Sequence, residues 1–389
     1  MNNSKFISVF KDTAHYLTTF SPLAFSMAVC FGFSEAIAAA LACLAVIFAP
    51  EPESGKIMPV YLSFMILGYS FTALNAGVGA LACIVCGILL IISAFFYDKL
   101  KNMFAQPAVS GIMLACALTA TILFTTDYFG IGATGATARD MIKSYISLGF
   151  HPNWRGILYG TIVMVIMITF PRKFKKFTKS VSAPFIAIAA TLILNLFLNP
   201  SDMATAINEI TDSSKNNSLL LTEAALPDAT LENVLNIILC GVALFVVCFH
   251  SIANNENASK KDFIIGGISN GIAGSLCSMP LPYGINKNKS TVLPRIIAAV
   301  IMLIMFYFGK EFMLRIPVHS CAVVIIVGAW QSVKWGDLKK TFSGIASVIC
   351  FAVTAIGFIL FDIASGVVFA FFVSMIYSLV FNKNHKFLK

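Results

Sequence analysis

The chain alternates between apolar runs of membrane-crossing length and short polar breaks that carry most of its charge. A helix needs about 20 apolar residues to cross a hydrocarbon core about 30 Å thick. Taken in order, the runs predict spans over 14–32 and 34–50, a short one from 59 to 72, then 75–96, 107–126, 154–170 and 181–198. A second set covers 233–252, 263–275, a short one starting near 280, then 293–309, 317–333, 341–360 and 364–381. The mixed stretch 127–153 predicts an interfacial helix, and 1–13 reads as a polar, basic arm. The pattern is that of an all-α polytopic membrane protein of about fourteen spans.

The longest polar connection, 199–232, holds Asp202, Glu209, Asp212, Glu223, Asp228 and Glu232 against one cation, Lys215. It divides the chain into a first seven-span repeat, 1–198, and a second, 233–389, that ends in a short tail. With both termini placed in the cytoplasm, only Arg139, Lys143, Arg155, Lys215, Lys310 and Arg315 of the 27 Lys and Arg fall outside. Such a bias over short loops orients a membrane protein. An odd number of spans in the first half makes the second half enter from the opposite side, so the repeat is inverted.

Two of the short spans are broken in the same way. Pro280, Pro282 and Gly284 interrupt the run Leu276-Cys277-Ser278-Met279-Pro280-Leu281-Pro282-Tyr283-Gly284, and Asn286, Lys287 and Lys289 follow at once. The earlier run Ile57-Met58-Pro59-Val60-Tyr61 repeats the Met-Pro-aliphatic order, with a tyrosine after it. Lipid does not tolerate freed backbone groups, whereas a helix start facing a cavity inside the protein does, and its N–H groups then point at an anion. Paired broken helices in the two halves therefore mark a transporter's binding site. The candidate binding residues are Pro59, Tyr61, Ser278, Pro280, Tyr283, Gly284 and Lys287, with backbone N–H groups, hydroxyls and one ammonium as the donors. His250, near the end of the eighth span, is a candidate for proton coupling.

Composition sharpens this picture. The chain is 58% hydrophobic and 12% charged, against about 25% charged in a soluble domain. A net charge of +9 is accounted for by the loops and calls for no nucleic acid. The 10 cysteines show no metal or disulfide spacing, and the Cys83-x-x-Cys86 pair lies inside an apolar run, where cysteine packs as a small hydrophobe. No metal site, cofactor or catalytic motif is expected, and the chain does not read as an enzyme. The 172–179 run, with Arg172, Lys173, Lys175, Lys176 and Lys179, reads as a topology anchor or a contact to anionic lipid.

Several segments, in order, resemble the membrane domain of the SulP or solute-carrier-26 family of anion transporters. They are Gln106-Pro107-Ala108-Val109-Ser110-Gly111, the glycine-rich 267–275, Met279-Pro280, Ile316-Pro317-Val318 with 325–330, and 361–367. The resemblance implies a seven-plus-seven inverted repeat divided into core and gate domains, with a small oxyanion such as sulfate or bicarbonate held between broken helices 3 and 10. Lys287, seven residues after Pro280, stands where the family often has arginine, although Gly284 falls one place late. No Asp or Glu lies inside the eighth span, so a coupling sodium ion or proton is left open. With only 382–389 after the last span, the family's cytoplasmic STAS domain is not expected. A homodimer in a cytoplasmic-type inner membrane is the implied setting. A carboxylate or benzoate-type acid carrier, a nucleobase-like carrier and an anion channel stand as alternatives.

Overall fold

The computed structural model describes residues 3–31, 43–48, 58–74, 76–135, 137–198, 226–254, 258–276, 292–308 and 315–381. These residues form helices and connections, with no strand among them. The first half contains α1 (Asn3–Phe31), α2 (Met58–Tyr69), a π-helical turn at Ser70–Leu74, α3 (Ala76–Ser93), α4 (Tyr97–Lys101) and α5 (Gln106–Phe129). It continues with α6 (Ala138–Leu148), α7 (Trp154–Lys173) and α8 (Ala183–Leu198). The second half contains α9 (Leu231–Ala253), α10 (Lys260–Ser275), α11 (Val292–Phe308), α12 (Val318–Ser332), α13 (Trp335–Thr341), α14 (Ile345–Leu360) and α15 (Ile363–Phe381). Residues 43–48 are helical as well.

The outer helices turn apolar faces outward. On α14, Ile345, Ile349, Val353, Ile356 and Leu360 are all exposed, and their spacing puts them on one face. Leu293, Ile296, Val300, Leu303 and Tyr307 do the same on α11. In water such stripes would be an aggregation hazard, but against lipid they are the solvated surface. Helices α5, α7, α9 and α15 are each long and apolar enough to cross a membrane, α8, α11 and α14 are shorter apolar helices, and α12 bends by 52° into α13.

The inward faces use small residues. A Cβ on Gly87 of α3 would lie 2.5 Å from the Gly267 carbonyl of α10, and one on Gly274 would lie 2.5 Å from the Ala80 carbonyl. Without a driving force between apolar surfaces in lipid, such close backbone approach supplies the packing. Gly271 has no such role of its own, because a Cβ there would meet nothing within 4 Å.

Contacts between helices recur in pairs. α3 packs on α9 as α11 packs on α1, and α5 packs on α14 as α12 packs on α7. Likewise α7 with α8 matches α14 with α15, and α1 with α8 matches α9 with α15. Helices α5 and α12 pack on each other. A separate apolar cluster, including Phe25, Val163, Ile188 and Val324, locks α1, α7, α8 and α12 together.

Buried polar bonds pin the connections. Tyr159 donates to Asn195 Oδ1 at 2.9 Å, and the Asn195 amide donates to the Arg315 carbonyl at 2.8 Å. Ser374 of α15 accepts from the Ala105 N–H at 2.6 Å and donates to the Met103 carbonyl at 2.8 Å, which ties α15 to the entry of α5. The Asp362 carboxylate accepts from the Ser365 N–H at 2.9 Å and so caps the start of α15, the capping role its position suggests.

Three expectations from the sequence are refined. Residues 3–13 of the polar, basic arm are helical: α1 runs from Asn3, with no Gly or Pro before Pro22 and with Phe6, Ile7 and Phe10 on one helical face. The interfacial helix expected within 127–153 is α6, whose N-cap Thr137 accepts from the Asp140 N–H. The span expected from 341 starts at Ile345, since the charged residues Asp337, Lys339 and Lys340 lie in the separate short helix α13.

Candidate functional site

Among the described residues, helix α2 begins at Met58, beside the Pro59 that the sequence pattern singles out. Its 12 residues lead without a break into the π-helical turn Ser70–Leu74. Pro59 stands at the second helical position, where its fixed φ suits a helix start and its missing N–H costs no hydrogen bond. The remaining N–H groups of that first turn have no intrahelical partners, and the peptide dipoles add a partial positive charge there. Val60, Tyr61, Leu62, Ser63, Phe64, Met65 and Ile66 are all buried. An apolar helix enclosed on every side belongs to the interior of the protein, so α2 meets protein rather than lipid. It packs against α1, α5, α9, α12 and α15.

Tyr61 is 5% exposed. Its hydroxyl rests on α12 at Gly328, where a Cβ would lie 1.8 Å from the hydroxyl oxygen and 2.6 Å from Cζ. One turn on, Met65 Sδ lies 3.5 Å from Cys116 Sγ of α5. Beside these contacts, Trp330 Nε1 of α12 donates to Thr121 Oγ1 of α5 at 2.8 Å. The Trp330 ring stacks on Trp335 with 6.1 Å between centroids. The described part of α2 therefore lies against both α5 and α12, with the Tyr61 hydroxyl meeting α12 at Gly328. The Ser63 hydroxyl is buried with no hydrogen-bond partner among the described residues.

Ser278, Pro280, Tyr283, Gly284 and Lys287 lie outside the described residues. The helices that flank them are fixed: α10 packs on α3, and α11 packs on α1. His250 sits in the last turn of α9. Its Nε2 lies 2.8 Å from Asn254 Nδ2, and its ring lies 5.1 Å from that of Phe104.

A cavity of about 330 Å³ opens at the other end of α2. Tyr69 of α2, Phe31 of α1, Phe124 and Asp127 of α5, Thr134 and Ile363 contribute to its lining. Phe31 divides this end of the site: its ring packs edge-on against Phe124 at 5.3 Å. The same ring occupies the space above Gly68, where a Cβ would come within 2.4 Å of it.

Arg295 is the residue that sequence reasoning misplaced. Next to Lys287 and Lys289 it reads as one more loop cation. In the structure it is 1% exposed, and its Nη1 donates to the Val46 and Ile47 carbonyls at 3.1 and 3.3 Å. The guanidinium also lies 4.6 Å over the Tyr16 ring. The arginine thus answers carbonyls of the helical residues 43–48 and joins them to α1 and α11. Gly328 and Trp330 fall in the 325–330 segment that carries the family resemblance, but nothing in the sequence set them apart as contact residues, and Thr121 carried no signal beyond its apolar setting.

No protein-family model matches the chain, and no curated protein matches it by sequence. Solved structures do match. The transmembrane domain of a cyanobacterium bicarbonate transporter, BicA, superposes with a TM-score of 0.71 at 15% identity, covering 97% of this chain and 98% of that one. SLC26A9 matches with a TM-score of 0.66 at 12% identity, covering 96% of this chain and 65% of that one. Murine Slc26a9, described as an anion transporter in the inward-facing state, matches with a TM-score of 0.65 at 10% identity, covering 97% and 69%. The chain has the membrane-domain fold of these SulP/SLC26 structures.

Proposed function

We propose that the protein is a secondary transporter of a small oxyanion, with bicarbonate or sulfate as the substrates to test first. The observation that carries this reading is α2: an apolar helix enclosed by protein, with Pro59 at its second position and the buried Tyr61 hydroxyl against α12. A helix N-terminus in a water-poor interior favours an anion. The likeness in fold to a bicarbonate transporter and to anion transporters supports the same reading.

In this proposal the chain is a seven-plus-seven inverted repeat. The paired contacts support it, because exchanging α1, α3, α5, α7 and α8 with α9, α11, α12, α14 and α15 turns α3–α9 into α11–α1, α5–α14 into α12–α7, α7–α8 into α14–α15 and α1–α8 into α9–α15. The 1–198 and 233–389 halves would each contribute one broken helix. The anion would sit between the start of α2 and the segment from Pro280 to Gly284, with Ser278 and Tyr283 as hydroxyl donors. Lys287 would raise the local anion concentration. Transport would move the body holding α1, α2, α3, α9, α10 and α11 past the gate that holds α5 and α12. Both termini would face the cytoplasm, and a second copy would complete a dimer. A coupling proton or sodium ion would set the direction of net flux, with His250 the proton candidate.

A carboxylate with an aromatic ring is the second reading, favoured by Phe31, Tyr69 and Phe124 around the 330 Å³ cavity. It stands second because Asp127 shares that lining and repels a second carboxylate.

The test is uptake of labelled bicarbonate, sulfate and benzoate into liposomes holding the purified protein, under pH and sodium gradients in turn. Saturable bicarbonate or sulfate uptake, reduced in Lys287→Ala, is the expected result. Uptake of benzoate alone would move the assignment to the second reading. Uptake of none of the three would overturn both.

A further inference from the structure

The outward side of α1 carries a feature that anion transport does not use. Phe6 and Phe10 are 62% and 68% exposed on the first turns of α1, and Phe177 is 52% exposed on the connection between α7 and α8. Together with Val181 they line an open groove of about 590 Å³, with Lys11 and Lys176 among its lining residues. That volume lies within the roughly 300–1,000 Å³ of small-molecule sites. The groove walls are joined just below it. The Ser182 N–H donates to Thr18 Oγ1 at 3.0 Å, and the Ser182 hydroxyl donates to the Thr18 carbonyl.

The charge around the groove is one-sided. Arg172, Lys173, Lys175, Lys176 and Lys179 stand in the 172–181 stretch with no carboxylate among them. On the facing helix Lys11 is next to Asp12, whose carboxylate lies 3.5 Å from the Ser8 hydroxyl. Apolar rings exposed beside lysines match the layered chemistry of a membrane interface, where rings enter the acyl region and ammonium groups meet phosphates.

We infer that this groove is a binding site for one anionic phospholipid. Its phosphate lies between Lys11 and Lys176, and an acyl chain runs over Phe6, Phe10, Phe177 and Val181. A zwitterionic lipid fills the apolar part equally well but gains nothing from the lysines. Each lysine near an anionic headgroup contributes a roughly 5-fold preference, so the pair contributes about 30-fold. Because the lipid spans α1 and the α7–α8 connection, its occupancy also tunes transport; that consequence rests on the transporter reading, whereas the site does not.

The test is native mass spectrometry of the full chain released from nanodiscs of phosphatidylcholine with one fifth phosphatidylglycerol. The wild type is expected to retain one phosphatidylglycerol per chain in preference to phosphatidylcholine. Lys11→Gln with Lys176→Gln is expected to lose that preference, and Phe10→Ser with Phe177→Ser to lose retention of either lipid. Lys339→Gln with Lys340→Gln, on α13, is the control and keeps wild-type retention. Equal retention of both lipids by the wild type would overturn the inference. So would unchanged phosphatidylglycerol retention in the Lys11/Lys176 variant, or an equal loss in the control, which would mean diffuse surface attraction. Transport and binding are read separately, so a protein that moves no anion leaves this test intact.

Discussion

Replacing Gly328 with alanine tests the proposed site most directly. The added Cβ would stand 1.8 Å from the Tyr61 hydroxyl, 2.6 Å from Cζ and 3.2 Å from Cε1. A phenol at a protein surface would swing aside, but Tyr61 is 5% exposed and its helix neighbours Val60 and Met65 are completely buried. Either α2 shifts away from α12 or the ring leaves its rotamer, and overpacking of this kind costs about 1–3 kcal/mol. The contact lies between α2 and α12, the helices that the proposed transport cycle moves past each other, so the shift is expected to lower anion flux as well as thermal stability. Tyr61→Phe in the same background removes the atom at 1.8 Å and leaves the one at 2.6 Å, so it should restore part of both losses. Tyr61→Leu removes both atoms and should relieve the clash completely, at the cost of a small void. The assays are labelled-anion uptake in proteoliposomes and thermal unfolding in detergent across the double-mutant cycle. Residues in contact are expected to show an interaction energy of about 0.5–3 kcal/mol. Strict additivity, or wild-type flux and stability in Gly328→Ala, would refute the placement of Tyr61 against α12.

Lys287→Ala should reduce uptake while Lys287→Arg retains it, and the difference should shrink as ionic strength rises, because salt screens the attraction of an anion from solution; equal flux in all three proteins returns Lys287 to an ordinary loop cation. Arg295→Met should lower thermal stability by about 1–3 kcal/mol, because the Val46 and Ile47 carbonyls stay buried without their donor. A melting curve matching wild type would remove that anchoring role. Trp330→Phe breaks the 2.8 Å bond to Thr121, at about 0.5–1.5 kcal/mol, and Thr121→Val in that background should add little; two full, independent losses would show that the groups are not partners. If His250 carries the coupling proton, His250→Gln flattens the pH dependence of uptake, and an unchanged pH profile assigns the ring to its packing against Phe104 and Asn254.

The membrane character and the approximate helix boundaries were legible because a bilayer imposes them locally. Each stretch must be apolar for a fixed length and must close its own hydrogen bonds, so the helical run from Pro59 was readable without any knowledge of its neighbours. The capping role of Asp362 was legible for the same reason, since a cap is decided within three residues. The partners were not legible. Arg295 and Lys289 are both cations at the edge of an apolar run, and only the approach of the 43–48 helix separates a buried anchor from a loop charge. Gly328 shows why the candidate site shares this property. Taken alone it is one small residue in an apolar span, indistinguishable in pattern from Gly271, which leaves open space where a Cβ would go. What makes Gly328 matter is the phenol brought to it by α2, a helix from the other half of the chain. The proline at the start of α2 is written in the sequence, but the surface that α2 packs against arises from pairing between the halves. Substitutions on α12 should therefore perturb transport as strongly as those at the proline breaks themselves.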